Sequence, residues 1–476
     1  MAYGGRAQKL VYRHLPQGLR NIAATYYALR TYPTRHGPHF HECFERLREH
    51  ERLPNAELEA IQVAKLRALV DHASRSVPYY RSLFRERGIT AGAISSLADL
   101  ARVPLLTKDA VRKHHGELLA EGARTDRLVR VHTSVTTGTP LDLYQTKELF
   151  QKEYAFWWFH RSWAGVHLGD RTATLAGHPV APVEQDRPPF WVRNYRENQM
   201  LFSSYHLSER NLSHYCDALV AFRPEFVHGY PSSIYFVALG LNDRGITSVR
   251  PRAVFASSET VLSHQRAEIE RAFGCRLHGY YGNAERAGYI GECEHGGLHA
   301  MSEHSVTEVL DEDGQPAAPG QPGVLVCTNI DGTAMPLIRY VTGDIVVPLP
   351  DGATCACGRG GRLVESVLGR VEDYVVTPEG SYVGRLDHIF KGVGNVREAQ
   401  LLQPSRGRLI IRVVKDPAFS EGDRKALIDN ARERLGRSID IVVDFVDSIE
   451  RTKTGKFRFI VSEVPREERL RAREHG

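Results

Sequence analysis

The chain has 476 residues, of which 42% are hydrophobic and 25% are charged, values that are typical of globular proteins. This composition excludes a disordered chain, a collagen-like fibre and a coiled-coil rod. Lys and Arg number 62 against 57 Asp and Glu, a mild basic excess that predicts no nucleic-acid partner. At roughly 100–200 residues per domain, the length predicts two to four domains.

The sequence also bears on the compartment. It contains no apolar run of the roughly 18 residues that a transmembrane helix needs. The N-terminal stretch MAYGGRAQKLVYRHLPQGLR lacks the uninterrupted apolar core of a signal peptide. The seven cysteines are too few for a disulfide scaffold, and their number is odd. We therefore expect a cytoplasmic protein.

Residues 1–100 are predicted to be mainly helical. Apolar residues recur there at steps of four and three: Leu15, Leu19, Ile22, Tyr26 and Leu29. Polar and basic residues fall on the opposite face: Arg13, Gln17, Arg20 and Asn21. This amphipathic pattern favours a helix that packs on the protein's own core, and a membrane surface is the alternative.

The rest of the chain divides into two patterns. From about residue 128 to 368, short apolar runs alternate with helical patterns, as in α/β proteins. The last hundred residues give a strand (LIIRVVKD), a helix ending at Gly436 and a second strand (IDIVVDFV). We predict an α/β protein with a large mixed body at 1–369, in which helices flank β-sheets, and a small mobile α+β domain at 370–476.

A polar loop, HTSVTTGTPL (132–141), follows a strand-like run. Its hydroxyls and backbone N–H groups are suited to bind polyphosphate oxygens. It is not a Walker A loop, since no GK[ST] follows. Alone, such a cluster is typical of an ordinary loop.

Five further segments follow this loop in a fixed order: ASSE (256–259), YYGNAE (280–285), RYVTGD (339–344), GRVED (369–373) and ERTKTGKFR (450–458). The ordered set resembles the adenylate-forming superfamily, and within it the phenylacetate-CoA ligases and CapK-type proteins. HGYPSSIYFVA (228–238) and VPYYRSLF (77–84) extend the resemblance over essentially the whole chain. It implies that ATP converts a carboxylic acid to an acyl-adenylate with release of pyrophosphate, and that the acyl group then passes to coenzyme A.

The resemblance also implies a set of ATP-binding residues: Thr133, Ser134, Thr136, Thr137, Gly138, Ser258, Glu259, Tyr280, Tyr281, Gly282, Asp344 and Arg370. In this set Tyr281 would stack on adenine, while Asp344 would accept hydrogen bonds from the ribose hydroxyls. Taken singly, Asp344 is equally compatible with an ordinary turn.

Three residues carry the implied catalysis: Lys456, Glu285 and Thr137. Lys456 would reach the reacting carboxylate and the α-phosphate from the small domain, where its charge stabilises the transition state. Glu285 would coordinate Mg²⁺, and Thr137 would hold the phosphates. A helix N-terminal carboxylate and a solvated basic loop are the simpler alternatives for Glu285 and Lys456.

The implied acid-binding pocket is lined by Tyr230, Ser232 and Ser257. The aromatic run EYAFWWFHRSW (153–163) would suit a flat or hydrophobic acid, but paired tryptophans are equally typical of core packing. The sequence therefore identifies neither the carboxylic acid that is activated nor the oligomeric state of the protein.

The chain departs from the family pattern at three positions. Val135 stands in the loop where glycine is usual, Ala284 replaces a common threonine, and Glu372 occupies the hinge. Two alternatives to a CoA ligase stay open, and Val135 and Ala284 motivate the second of them. One is an adenylate-forming synthetase that transfers the acyl group to an amine, and the other is a weakened CapK-like protein of polysaccharide biosynthesis.

A second candidate site consists of four residues: Cys293, His299, Cys355 and Cys357. Three thiolates and one imidazole suit tetrahedral zinc, with His295 as a competing ligand. Some phenylacetate-CoA ligase relatives resemble this pattern. The alternative is a glycine-rich turn with reduced thiols. The expected cofactors are ATP, Mg²⁺, coenzyme A and, at this second site, structural Zn²⁺.

Overall fold

The computed structural model describes residues 15–132, 141–178, 180–182, 185–370, 375–378, 382–383, 386–390, 393, 395–436, 438–452 and 457–464. The chain divides into two compact units. The first contains residues 1–261 and 265–367, and the second contains residues 262–264 and 368–476. Each unit is described by itself below.

The N-terminal quarter is helical, and strands follow. The helices are α1 (Gln17–Arg35), α2 (Pro38–Glu49), α3 (Asn55–Ser76), α4 (Pro78–Arg87), α5 (Lys108–Lys113), α6 (Lys147–Ser162), α7 (Glu209–Phe222), α8 (Pro231–Asp243) and α9 (Ser263–Phe273). Short 3-10 turns lie at Ala91–Ala93, Leu97–Arg102, Thr125–Arg127 and Ser204–His206. None of the helices in the described ranges is both long and apolar enough to cross a membrane.

Two sheets contain the strands up to residue 370. A hairpin pairs β1 (Val129–His132) with β2 (Asp142–Gln145). The large sheet contains β3 (Thr172–Ala176), β4 (Trp191–Asn194), β5 (Gln199–Ser203), β6 (Phe226–Gly229), β7 (Ala253–Ser257), β8 (Leu277–Gly282), β9 (Tyr289–Glu292), β10 (Leu298–Ala300), β11 (Ser305–Leu310), β12 (Gly323–Asn329), β13 (Tyr340–Pro348) and β14 (Leu363–Arg370).

The large sheet has twelve strands in the order β11-β12-β13-β14-β10-β9-β8-β7-β6-β3-β5-β4. The strands from β8 to β5 are parallel, whereas β4 and β9 pair with their neighbours in antiparallel fashion. Strand order reverses between β3 and β6. Ligands of open α/β sheets bind beyond the carboxyl ends of strands at such a point, so this arrangement locates a candidate site.

The parallel strands are buried on both faces. Phe255 of β7 packs with side chains of α2 and α6, while Val254 packs with side chains of α7, α8 and α9. Successive residues of a strand point to opposite faces. A strand covered on both sides is therefore apolar at every position, as in the AVFAS run of β7. The predicted sheets flanked by helices are confirmed.

Helix α1 contradicts the prediction that its apolar stripe packs on the core. Leu19, Ile22, Tyr26 and Leu29 are 48–62% exposed. The opposite face meets edge strand β4, where Asn21 Oδ1 accepts a hydrogen bond from Arg193 N at 2.8 Å. An edge strand presents unpaired backbone groups that need polar partners, and this requirement turns the polar face inward.

The second unit has its own core. Its strands are β15 (Val375–Val376), β16 (Tyr382–Val383), β17 (Val396–Ser405), β18 (Arg408–Lys415), β19 (Asp440–Phe445) and β20 (Ile460–Ser462), with helix α10 (Glu421–Leu435) and a 3-10 turn at Leu386–Phe390. The four-stranded sheet has the order β19-β18-β17-β20. The strand–helix–strand pattern expected from sequence corresponds to β18, α10 and β19. Strands β17 and β20 complete the sheet and were not predicted.

Candidate active site

The carboxyl ends of three parallel strands bring predicted site residues together. Ser257 of β7 lies opposite Tyr280 of β8 in the strand register. Tyr230 follows the last residue of β6, Gly229. A Cβ on Gly229 would collide with the backbone of Leu175 in β3, so only glycine permits the close approach of these strands.

The turn after β7 reaches the start of helix α8. Ser258 has a positive φ of 71°, which directs the chain toward that helix. The Oε2 atom of Glu259 accepts a hydrogen bond from Ser232 N at 3.1 Å, because a carboxylate is stabilised by the free N–H groups of a helix N-terminus. The hydroxyl of Ser232 is buried without a hydrogen-bond partner in the described residues. It therefore remains available to a ligand.

Tyr281 and Asp344 form a hydrogen-bonded pair. The Tyr281 hydroxyl donates to Asp344 Oδ2 at 2.7 Å, although 63 residues separate them in the chain. Burial, together with the Asp344 carboxylate, raises the pKa of Tyr281 well above its usual value, so the hydroxyl keeps its proton. Gly282, the last residue of β8, follows Tyr281 and is exposed.

Glu285 lies in the turn after β8 and is buried. The Tyr340 hydroxyl donates to its Oε1 at 2.8 Å. The Asn283 side chain stabilises the turn by accepting a hydrogen bond from Ala287 N at 2.9 Å. Arg286 has a positive φ of 53°, which reverses the chain there.

Strand β13 connects these two pairs. Tyr340 and Asp344 both lie on β13, whose register against β12 is irregular between them. One of them contacts Glu285 and the other contacts Tyr281, so β13 fixes both ends of the YYGNAE segment. Tyr340 was not predicted as a site residue, although the RYVTGD segment contains it.

The β1–β2 hairpin reaches the same region. His132 pairs with Asp142, so residues 133–141 connect the two strands. Gln145 of β2 donates its side-chain N–H to the backbone oxygen of Glu285 at 3.4 Å. A small recess beside Glu285 is lined by Gln145 of this hairpin and by Asn329.

Helix α6 lies under Tyr280. Trp157 Nε1 donates to the Tyr280 hydroxyl at 3.0 Å, and His228 Nε2 lies 3.0 Å from the same oxygen. The guanidinium of Arg161 is fully buried against the rings of Trp157 and Tyr280. Burial lowers the pKa of Arg161 to about 10. Sequence analysis missed the roles of Trp157 and Arg161, because a helix that packs in a core has the same aromatic spacing. It also missed the role of His228 on β6, whose contact with Tyr280 depends on the neighbouring strands.

Several predicted residues lie outside the described ranges. They are Thr133, Ser134, Val135, Thr136, Thr137, Gly138, Glu372 and Lys456. Arg370 is the last residue of β14, and its side chain is also outside the description. The roles that the resemblance implies for these residues stay predictions.

The four predicted zinc ligands lie together in the first unit. The ligand atoms of Cys293, His299, Cys355 and Cys357 all fall within 4.8 Å of one another. Cys293 Sγ is 3.5 Å from Cys355 Sγ, and Cys357 Sγ is 3.3 Å from His299 Nε2. Zinc–sulfur and zinc–nitrogen bonds of about 2.3 and 2.0 Å place tetrahedral ligands at comparable separations. The competing ligand, His295, is exposed and is not part of the group.

The backbone at Gly297 lies close to the sulfur atoms, and its position shows whether the four side chains enclose a space that fits a metal ion. A Cβ at this position would lie 2.6 Å from Cys355 Sγ and 3.4 Å from Cys293 Sγ. The backbone thus closes over the sulfur atoms, and Trp163 packs against the His299 ring with centroids 5.7 Å apart. Four protein donors in an enclosed space match a structural zinc site, which needs no open position for water.

The chain was compared with known proteins. Residues 375–463 match the model of the CapK C-terminal domain. Protein CapK of Staphylococcus aureus is 25% identical over 471 residues, which cover 95% of this chain and 99% of CapK. Phenylacetate-coenzyme A ligase of Thermus thermophilus is 29% identical over 437 residues, covering 82% of this chain and 91% of the ligase. The chain is thus similar in sequence to CapK and to the phenylacetate-CoA ligases over most of its length.

A solved structure shares the fold of this chain. 2-Hydroxyisobutyryl-CoA ligase in the postadenylation state superposes with a TM-score of 0.67 at 19% identity. The alignment covers 89% of this chain and 93% of that ligase. The predicted fold class and the predicted resemblance are confirmed.

Proposed function

We propose that this protein is an adenylate-forming acyl-CoA ligase. It uses ATP to convert a carboxylic acid to an acyl-adenylate with release of pyrophosphate. The thiol of coenzyme A then attacks the acyl carbonyl, and AMP leaves. The ligase homologues support this class of enzyme over nearly the whole chain.

One observation carries the proposal. The paired contacts Tyr281–Asp344 and Glu285–Tyr340 join the two segments on which the resemblance most depends. Two segments that are distant in the chain are thus held together by two side-chain hydrogen bonds, one buried and one partly buried. Tyr281 and Glu285 lie at the carboxyl end of β8 and in the turn after it, and α/β folds bind nucleotides beyond the carboxyl ends of such strands.

Each residue receives a role in the first half-reaction. Asp344 accepts hydrogen bonds from the ribose diol, and Tyr281 lies against adenine. The polar loop with Thr137 holds the β- and γ-phosphates, and Glu285 would hold Mg²⁺. The bound ion offsets negative charge on the phosphates. Lys456 stabilises the charge that develops as the carboxylate oxygen attacks the α-phosphorus and pyrophosphate leaves.

The acid occupies the region where strand order reverses. Tyr230, Ser232 and Ser257 border it, and burial raises the pKa of Tyr230 to about 12. Tyr230 and Ser232 therefore present neutral hydroxyls at physiological pH. Trp157 and His228 lie behind Tyr280, and burial lowers the pKa of His228 well below its usual value, so this side of the site holds a neutral imidazole.

We also propose that Cys293, His299, Cys355 and Cys357 hold a structural zinc. Such an ion cross-links β9, β10 and the loop before β14 and carries out no step of the reaction. The cytoplasmic location stays a prediction. The assignment of residues 370–476 to a mobile lid domain also stays a prediction.

The test is pyrophosphate exchange into ATP with pooled aryl and aliphatic acids, for the wild type and for Lys456→Ala. Exchange that depends on the acid and falls at least about a hundredfold in the variant supports adenylation through Lys456. Normal exchange in Lys456→Ala would refute that role.

Acceptor choice is decided by the second half-reaction. With the active acid, AMP release that requires coenzyme A identifies the ligase. AMP release that requires an amine and no coenzyme A identifies the amide synthetase. If neither coenzyme A nor an amine causes AMP release with any acid pool, the weakened CapK-like protein is favoured. In that case Val135→Gly is the variant expected to restore activity.

A further inference from the structure

Helix α1 carries an apolar stripe that is largely exposed among the described residues. Of the eight large apolar side chains that are well exposed in the described residues, four lie on this helix. Leu19 is 48% exposed, Ile22 62%, Tyr26 59% and Leu29 51%. A fifth, Tyr195, is 61% exposed, and its backbone N–H donates to Thr25 Oγ1 of the helix at 3.1 Å.

The orientation of the helix is fixed from its other side. Ala24 and Ala28 are 1% and 2% exposed. Asn21 and Thr25 accept hydrogen bonds from backbone N–H groups at the end of β4, and Gln17 donates to the Trp191 carbonyl. Rolling the helix to bury its apolar stripe would break all of these bonds, so the stripe stays exposed.

The same region concentrates positive charge. Residues 1–41 contain six Lys or Arg and no Asp or Glu. The remaining chain has 56 basic and 57 acidic residues, so the net charge of the protein originates in this short segment. The neighbouring β4–β5 hairpin adds Arg193 and Arg196 against Glu197, which pairs with Arg35 at 3.0 Å.

Two kinds of partner could cover an apolar stripe with spacings of four and three: a second copy of the chain or a lipid surface. A second copy would place two strongly basic segments against each other, which is repulsive, and two heptads are too short for a stable coiled coil. An anionic lipid surface would attract the arginines and bury the apolar side chains together. Charge complementarity therefore selects the lipid surface.

We propose that the α1 face, formed by Leu19, Ile22, Tyr26 and Leu29 with Tyr195 beside it, binds peripherally to membranes rich in anionic lipid. The helix lies in the plane of the interface, with its polar face still bound to β4. Arg30 and Arg196, both exposed, contact the headgroups. This attachment would hold the enzyme at a membrane without a spanning segment, and it is independent of the proposed ligase chemistry.

Vesicle flotation of the full chain tests the proposal. Vesicles of phosphatidylcholine alone are compared with vesicles that contain about one-third phosphatidylglycerol. We expect binding only to the anionic vesicles, weakened by salt, and a loss of at least about tenfold in Ile22→Asp/Tyr26→Asp. Equal flotation of the double variant and the wild type would overturn the proposal, as would no flotation of the wild type.

Leu168→Asp is the matched control. Leu168 is an exposed apolar residue (39%) away from α1, and its variant should float like the wild type. Thermal unfolding and pyrophosphate exchange without vesicles should be unchanged in all variants, because the altered side chains make few contacts. A concentration-dependent dimer that Ile22→Asp/Tyr26→Asp abolishes would identify a second copy as the occupant and refute the lipid surface.

Discussion

The candidate active site and the cysteine cluster are both assembled from distant parts of the chain, yet they are built differently. The active-site pairs Tyr281–Asp344 and Glu285–Tyr340 are single hydrogen bonds between side chains on strands and turns. The cluster instead brings four donors within 4.8 Å under a glycine backbone. The first arrangement consists of separate contacts along two segments, whereas the second gathers its donors around one point, as ion binding requires.

This difference predicts different consequences of mutation. If the cluster holds the proposed zinc, loss of one donor would weaken binding of the ion, and the free energy of unfolding should fall. Loss of a hydrogen bond in the active site removes orientation, so activity should fall more than stability. Three variants test this contrast, in order of decreasing expected effect.

Cys357→Ser should have the largest effect. Cys357 is buried and lies 3.3 Å from His299, and serine is a poor ligand for zinc. We expect the zinc content to fall below about half an equivalent per chain, and the free energy of unfolding to fall by about 4 kcal/mol or more. Elemental analysis and denaturant unfolding measure the two quantities.

Cys275→Ser is the matched control, because Cys275 is a cysteine outside the cluster and its variant should keep the zinc. Wild-type protein that contains less than about half an equivalent of zinc would refute the site. Equal loss of zinc in both variants would show that the contrast between the two cysteines is wrong.

Asp344→Asn should chiefly reduce activity. Asparagine can still accept the hydrogen bond from Tyr281, but it loses the charge that pairs with two ribose hydroxyls. We expect kcat/KM for ATP to fall by roughly tenfold to a hundredfold, about 1.5–3 kcal/mol, in the pyrophosphate exchange assay. Asp351→Asn is the control, since Asp351 is exposed and pairs with Arg362. Equal kinetics in the two variants would remove Asp344 from the nucleotide site.

Tyr340→Phe should have the smallest effect. The change removes one hydrogen bond to Glu285, worth about 0.5–1.5 kcal/mol, and frees the carboxylate to rotate. The Mg²⁺ concentration needed for half-maximal exchange should rise by about three- to tenfold. Tyr215→Phe is the control, because Tyr215 is also buried but its hydroxyl donates to the Ser203 carbonyl at 2.6 Å. A shift of the same size in Tyr215→Phe would mean that the effect is structural.

Much of the candidate site could be predicted from short segments, because each segment combines a strand end with polar residues. Glu285, Ser232 and Glu259 lie beside strand or helix ends in the structure, and Asp344 lies within β13. Tyr340, Trp157 and His228 could not be predicted, because their contacts depend on which strands become neighbours. His299, in contrast, was already preferred to His295 from the sequence, and the β9–β10 pairing, which places His299 opposite Gly291, brings it into the cluster.

The same division holds for the fold. Local pattern predicted the N-terminal helices, the alternating α/β body and the strand–helix–strand unit near the C-terminus. It did not predict β17 and β20, whose mixed polar and apolar residues give a weak signal. It also predicted wrongly that the apolar stripe of α1 packs on the core. Hydrogen bonds between the polar face of α1 and the unpaired backbone groups of β4 stabilise the observed orientation more than burial of the four apolar side chains would stabilise the opposite one.

By itself, then, the sequence determined the class of protein, the order of its segments and the residue types able to bind a nucleotide and a metal. These properties are local, because motif chemistry and periodicity depend on neighbours along the chain. Only the tertiary structure decided that β13 holds Glu285 and Tyr281, that Gly297 closes over the sulfur atoms, and that α1 exposes its apolar face. Each of these outcomes depends on which backbone groups are left to pair once the twelve-stranded sheet has formed.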